Sequence, residues 1–409
     1  MTAPRNLTCS LLFFLCLPAF AQKAEIPIGV SADFSGASKF LGIELYRGSM
    51  AYLDSVNDAG GVNGRKIQLY ALDDGYNPAP AITNTIQLVE RQKVFLLFDY
   101  VGTPTVTRIL PLLKLYKNQN VFLFFPFTGA QPQRDQPYGD FAFNLRASYR
   151  QETAGLVDNF VKVGRKRIAV FYQADAYGRS GWEGVRLALA KYNLDIVAEA
   201  TYRRGSSFSD SLRLQVDHLK SADPDAVISI GTYAPCAAFI RDARDEGWDV
   251  PIANVSFVGS AFLLNLLADE EKKTGTNYTN NLINTEILPS FEDTSLPAVK
   301  EYRELLDRYK PSAPHGFGAE TKAGQKYNYV SFEGFLNAKL LVEILKRAGD
   351  PPDRVNIRAA VDSIHNFDLG IRVPVSFIAD RNQGMDVVYF NTVEHDLLVP
   401  ITDWQRWRK

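Results

Sequence analysis

Apolar runs of strand length alternate with stretches of helical periodicity in two rounds, broken near Arg146. Residues 25–32 read as a buried strand. Tyr46, Met50, Leu53 and Val56 then recur at spacings of three and four, as one helix face does, and Gly60-Gly61 ends the pattern. Residues 66–72 carry Ile67, Leu69 and Ala71 on one side, and a helix with Ile82, Ile86 and Val89 follows. Apolar strands at 94–98 and 121–125 flank a helical stretch around 109–115. The second round opens with a helix near 152–163 and a strand at 167–172, and strands near Ile196, Ala226 and Ile252 continue it. Strands that are almost continuously apolar, with helices between them, belong to parallel sheets covered on both faces. A chain of 409 residues exceeds one ordinary core. The fold class expected is therefore α/β, with two doubly wound parallel-sheet lobes.

The remaining segments do not read as a third domain. Residues 279–288 read as extended, 298–309 and 327–345 as helices, and 373–378 and 387–390 as short strands. The expected organisation is an N-terminal lobe of residues 22–145 and 285–368 and a C-terminal lobe of 146–284 and 369–409. The chain then returns near Thr285 and crosses again near 367–370, which makes a multi-strand hinge. Ligands of doubly wound sheets sit beyond the carboxyl ends of the strands, so facing lobes put a site in the cleft between them.

Residues 1–21 have another character: Arg5 is their one charge, residues 11–20 are apolar, and Ala19-Phe20-Ala21 has the form of a cleavage site. The apolar part is too short to span a bilayer, so export with cleavage after Ala21 is expected. Cys9 and Cys16 leave with that segment, and Cys236 remains without a disulfide partner. No later segment approaches 18 uncharged apolar residues, so the mature chain is expected to be soluble. Lys plus Arg number 45 against 46 Asp plus Glu, with no basic block, which argues against a nucleic-acid partner. His218, His315, His365 and His395 stand in unrelated contexts without ligand spacing, and no nucleophile elbow, H-E-x-x-H or phosphate loop occurs. Asp73-Asp74 reads as an acidic turn. No metal, cofactor or catalytic residue is expected.

Five strings, in order along the chain, carry a family resemblance: VNDAGGVNGRKIQLYALDDGYNP (56–78), NLRASYRQET (144–153), VFYQADAYGRSGWEG (170–184), GTYAPCAAFIRDARDEGW (231–248) and NVSFVGS (254–260). The chain resembles periplasmic substrate-binding proteins of the branched-chain amino-acid (leucine/isoleucine/valine) type, which serve ABC importers and have the type I periplasmic binding fold. The resemblance implies a monomeric, non-enzymatic receptor in the periplasm. It would capture a small molecule, an amino acid or a related carboxylate or amide, and deliver it to importer permease subunits. A periplasmic sensor subunit signalling to a membrane receptor uses the same fold and stays as the alternative.

The resemblance also implies site residues. Gly102 and Thr103 after the strand VFLLFDYV, and Thr128, Gly129 and Ala130 after VFLFFPF, match the loops that grip a carboxylate in this family. Each loop precedes a helix start, where backbone N–H groups and a hydroxyl hold an anion without a full charge; helix capping is the competing role of the threonines. Tyr177 and Tyr233 match positions that present a side chain from the second lobe, with packing as the alternative. Tyr149 is a hinge or cleft-wall candidate, Ser256 could add a hydroxyl, and Phe127 lies at the cleft end of its strand. The family's glutamate for an ammonium group lies near SFVGS, where this chain has no acid. That departure leaves the ligand class open, with Asp175 and Glu286 as candidate substitutes.

Overall fold

In a computed structural model, residues 24–317, 326–378 and 381–409 are described; the expected leader lies outside them. The first round of alternation forms Ile26–Ala32 (β1), Lys39–Asp58 (α1), Ile67–Asp73 (β2), Pro78–Ile86 (α2), Leu96–Phe98 (β3), Thr103–Leu115 (α3), Leu123–Phe124 (β4) and Ala142–Phe143 (β5). Its sheet runs β2-β1-β3-β4-β5 and every pairing is parallel. β2 lies at the edge, and its first four residues alternate buried and exposed, from Ile67 in to Tyr70 out.

The second round forms Tyr149–Lys162 (α4), Ile168–Gln173 (β6), Ala176–Ala190 (α5), Ala198–Tyr202 (β7), Arg213–Ser221 (α6), Ala226–Ile230 (β8), Tyr233–Asp245 (α7), Ile252–Asn254 (β9), Ser260–Thr274 (α8) and Leu282–Glu286 (β10). Then come Pro297–Tyr309 (α9), Tyr329–Arg347 (α10), Ile357–Asp362 (α11), the strands Phe367–Asp368 (β11) and Pro374–Val375 (β12), and Tyr389–Glu394 (β13) and Leu397–Pro400 (β14). The second sheet runs β14-β13-β10-β9-β8-β6-β7. It is parallel from β10 to β7, and β13 and β14 add an antiparallel edge. The turn between them puts His395 at φ 50° and Asp396 at φ 62°, the two positive angles of a tight hairpin.

α4 starts three residues earlier than the apolar spacing predicts. A reciprocal cap explains this: Gln151 N donates to Ser148 Oγ (3.3 Å) while Ser148 N donates to Gln151 Oε1 (2.7 Å). Tyr149 thereby opens the helix at the first crossing between the sheets.

The crossings set the lobes. Thr285 and Glu286 pair with Phe390 and Tyr389, so β10 stays in the second sheet, and α9 is the first element to return onto α1. α10 packs closely along α1: a Cβ at Gly48 would stand 1.8 Å from Ser331 O, and one at Gly334 would stand 2.0 Å from Leu45 O. Ser49 Oγ and Asn337 Nδ2 donate to the buried Asp99 carboxyl (2.6 and 2.8 Å), joining both helices to the end of β3. The last crossing comes later than 367–370. Gly384 N donates to Asn144 O (2.8 Å) and Met385 N to Leu145 O (3.0 Å), which keeps that stretch beside β5 until β13 begins.

Candidate functional site

The loops after β3 and β4 and the start of α4 bring three hydroxyls together. Gly102 takes φ 101°, and a Cβ there would meet the Tyr76 ring at 2.1 Å, so glycine lets Tyr76 close over the start of α3. Its N–H donates to Phe127 O (3.2 Å), tying the two loops. Thr103 Oγ1 and Thr128 Oγ1 lie 2.7 Å apart, and Ala130 N donates to Thr128 Oγ1 (3.2 Å). Tyr149 N donates to Gly129 O (2.7 Å), and the Tyr149 ring covers Gly129. The Tyr149 hydroxyl is buried without a hydrogen-bond partner of sound geometry among the described residues. Burial lifts its pKa above the ordinary phenol range, against the pull of Arg146 and of the neighbouring Thr103 and Thr128 hydroxyls.

An aromatic wall joins the lobes above these groups. Tyr149 packs on Tyr177 (ring centroids 5.2 Å), Tyr177 on Phe257 (4.7 Å), and Phe257 on Phe127 (5.2 Å) and Tyr76 (6.2 Å). Tyr177 OH donates to Gly231 O (3.2 Å), so its polar tip is committed within the second lobe. Burial raises the phenols of Tyr76 and Tyr177 well above their usual range, which keeps both neutral. Hydrogen bonds that span the lobes beside this wall include Gln173 Nε2 to Tyr76 OH (3.4 Å) and Tyr233 OH to Ala37 O (2.8 Å).

Behind Phe127, at the crossings, lies a buried charged cluster. The Arg146 guanidinium stacks on the Phe127 ring (4.6 Å) and donates to Ser256 Oγ. Its Nη2 lies 4.0 Å from Glu152 Oε1 and its Nη1 3.7 Å from Glu333 Oε1. Burial works against the Arg146 charge, but Glu333, Tyr149 and Glu152 outweigh it and hold the pKa above the ordinary value. Glu152 accepts from Ser256 N (2.8 Å), Ser256 Oγ (3.0 Å) and Thr285 Oγ1 (2.5 Å). A cavity of about 10 Å³, room for one water-sized group, opens beside it between Phe127, Ser256, Ser260, Glu286, Tyr329 and Glu333. Burial pushes Glu286 well above the carboxylate range, and it pushes Glu333 to about 7 against the pull of Arg146.

The sequence candidates divide among these places. Gly102, Thr103, Thr128, Gly129, Ala130 and Tyr149 form the hydroxyl corner, and Tyr177 belongs to the wall. Ser256 and Glu286 line the hinge cavity together with Phe127. Tyr233 stands apart, at the lobe rim between Phe40 and Phe262. Asp175 caps α5 through Tyr177 N (2.9 Å) and accepts from Gln173 Nε2 (2.7 Å), so its carboxylate is engaged. Sequence reasoning passed over Tyr76, Arg146, Glu152, Phe257 and Glu333. Arg146 and Tyr76 lie inside the strings that carry the resemblance, but Glu333 sits in a helix whose periodicity reads as core. All four histidines are exposed, and Cys236 is buried, its thiol pushed up to about 12. Among the described residues no group of acids, histidines and cysteines is placed to hold a metal ion.

Comparison with known proteins gives a family match, two relatives and a solved structure. The family profile described as periplasmic binding protein matches residues 25–396. An amino acid binding protein of Pseudomonas aeruginosa is 26% identical over 55% of this chain, and the match spans 58% of that relative's length. A Leu/Ile/Val-binding protein homolog of Brucella melitensis is 25% identical over 80% of this chain and 79% of its own. A crystal structure of a possible leucine/isoleucine/valine-binding protein from Rhodopirellula baltica superposes with a TM-score of 0.82 at 29% identity, covering 96% of this chain and all of that one. No helix among the described residues is long and apolar enough to cross a membrane.

Proposed function

We propose that this chain, which belongs to the periplasmic binding protein family, is an exported receptor that closes its lobes over a small molecule and delivers it to the permease subunits of an ABC importer. Its ligand is an amino acid or a related small carboxylate or amide. The observation that carries the reading is the hydroxyl corner, where the buried Tyr149 hydroxyl stands beside those of Thr103 and Thr128 at the starts of two helices. Neutral hydroxyls at a helix start suit an anion that has to be released, because they stabilise it without a full opposing charge. The relatives named for amino acids and for Leu/Ile/Val support the same ligand class. Closure is a population shift driven by contacts available only when both lobes meet the ligand. The proposed role is binding and not catalysis, for a monomer freed of its leader after Ala21.

Thermal unfolding of the exported protein with amino acids, small amides, aromatic carboxylates and short-chain acids tests this. At least one compound should stabilise it, by roughly 2.7 kcal/mol at 100 times its dissociation constant. Tyr149→Phe should leave the unliganded midpoint little changed and weaken that compound by up to about tenfold, the worth of one hydrogen bond. A silent panel would sink the receptor reading; full affinity in Tyr149→Phe would remove the hydroxyl corner from the site.

A further inference from the structure

Arg134, in the turn that follows the hydroxyl corner, is a half-buried cation whose donors all go to oxygens without a full charge. Its guanidinium donates to Ala130 O (2.5 Å), Thr128 O (3.4 Å), Arg146 O (3.1 Å) and Gln383 Oε1 (2.7 Å). Two of these carbonyls belong to the corner itself, and the buried Gln133 donates to Thr128 O as well (3.2 Å). A trans peptide points its N–H opposite to its C=O, so the Gly129 and Gln131 N–H groups face away from Arg134. Neither makes a hydrogen bond among the described residues, whereas the N–H between them, that of Ala130, is held by Thr128 Oγ1 (3.2 Å). The loop thus offers two free amide donors, with the guanidinium bound to the far end of the same two peptides. Gln131 and Thr103 border one opening of about 650 Å³ at the cleft mouth, between α3 of the first lobe and α5 of the second. Nearby acids do not neutralise Arg134. Glu152 and Glu333 stand against Arg146 (4.0 and 3.7 Å), burial holds Glu333 and Glu286 toward the neutral form, and the exposed Asp135 faces Arg150 (4.0 Å). Burial, and after it the Arg146 charge, press the Arg134 pKa down to about 9, the direction for a cation short of negative charge.

We propose that Arg134 is a positioning residue that makes the corner select a carboxylate over its amide: it polarises the 128–129 and 130–131 peptides, whose N–H groups carry its charge to an anion that it does not touch. This role rests on the receptor reading and deepens it, narrowing an amino acid, carboxylate or amide to a ligand with an ionised carboxylate. Hydrogen bonds in a chain polarise one another, and neighbouring backbone N–H groups that point the same way make an anion-binding concavity. Across one peptide, the guanidinium and a bound oxygen lie about 7 Å apart. At that distance and an effective dielectric of about 20, one unit charge changes the affinity for another by about fiftyfold. A neutral amide forgoes this attraction, and its NH2 group turns donors toward donors. The separation also suits a ligand that must leave, because a guanidinium in contact would form a bidentate pair with the carboxylate.

The test is calorimetry on the exported chain with each acid set against its own amide: L-leucine and L-leucinamide, L-phenylalanine and L-phenylalaninamide, 4-methylpentanoate and 4-methylpentanamide. In the wild type at least one acid should bind about 30-fold or more tightly than its amide. Arg134→Gln keeps a donor and removes the charge, so it should cut that ratio by about tenfold or more and leave the amide's affinity nearly unchanged. Arg134→Lys keeps the charge and loses the fork, so it should hold most of the ratio. An arginine that only braces the loop would move acid and amide together in both variants. A wild-type ratio near one, a ratio that Arg134→Gln leaves intact, or acid and amide weakened alike overturns the assignment. Should Arg134→Gln fail to fold, Arg134→Lys decides: a ratio kept near the wild-type value supports the role of the charge, and a ratio collapsed toward one overturns it. Acids that bind with a ratio indifferent to Arg134→Gln keep the receptor reading and lose this role. A chain that responds to nothing in the broad panel loses both.

Discussion

Glu333 shows how burial at a single residue couples stability to pH. Its carboxyl is pushed from 4.5 to about 7 by burial, so the folded state holds its proton more tightly than the unfolded state does. An acid raised in this way contributes stability that is fully present below its unfolded pKa. That stability is lost as pH rises through the folded value. Glu333→Gln removes the titration and leaves the shape. In urea unfolding, the variant should therefore gain relative to the wild type between pH 5 and pH 8, whatever constant offset arises from Arg146 losing its ion partner. A stability difference that is the same at both pH values would show that the Glu333 carboxyl is not raised. Nothing local marks this residue, because Tyr329–Arg347 is apolar on nearly every side and reads as a core helix. Thr103 and Thr128 were singled out by the family resemblance, with helix capping as their competing role, and the structure places their hydroxyls 2.7 Å apart.

At the level of elements, the helices were visible in spacing and their contacts were not. α1 carries Gly48 in its middle, where helix propensity alone favours alanine by about 1 kcal/mol. The structure reverses that preference, because a methyl group at Gly48 would stand 1.8 Å from a backbone oxygen of α10 and backbone cannot yield cheaply. Overpacking of this kind costs about 3 kcal/mol, which outweighs the propensity gain. Gly48→Ala should lower the unfolding free energy by about 2 kcal/mol in denaturant titration; an unchanged or raised value would mean that α1 and α10 are not in close contact. α4 gives the opposite lesson. Its start at Tyr149 follows from Ser148 and Gln151, a cap written in the sequence but masked by the later onset of apolar spacing.

For the whole molecule, closure depends on few polar links and one aromatic wall. Tyr233 OH donates across the lobes to Ala37 O (2.8 Å), and Tyr233→Phe removes that bond while keeping the ring between Phe40 and Phe262. A net loss of about 1 kcal/mol shifts the closed-to-open ratio about fivefold toward open. Distance measurements between labels on the two lobes should show this without a change in the unfolding midpoint; an unshifted distribution would mean that the rim contact does not govern closure. The spacing of apolar residues determined that this chain makes two covered parallel sheets, because the face that an element buries is set by its own period of two or 3.6. Turn glycines and caps, equally local, determined where many elements end. Tertiary structure alone decided that Tyr76, Tyr149, Tyr177 and Phe257 meet, that the final crossing waits for β13, and that Glu286 and Glu333 share one cavity. The energy of a buried charge depends on what stands within a few ångströms of it in space, and for Glu333 that is Arg146, distant in sequence and brought to it from the first crossing.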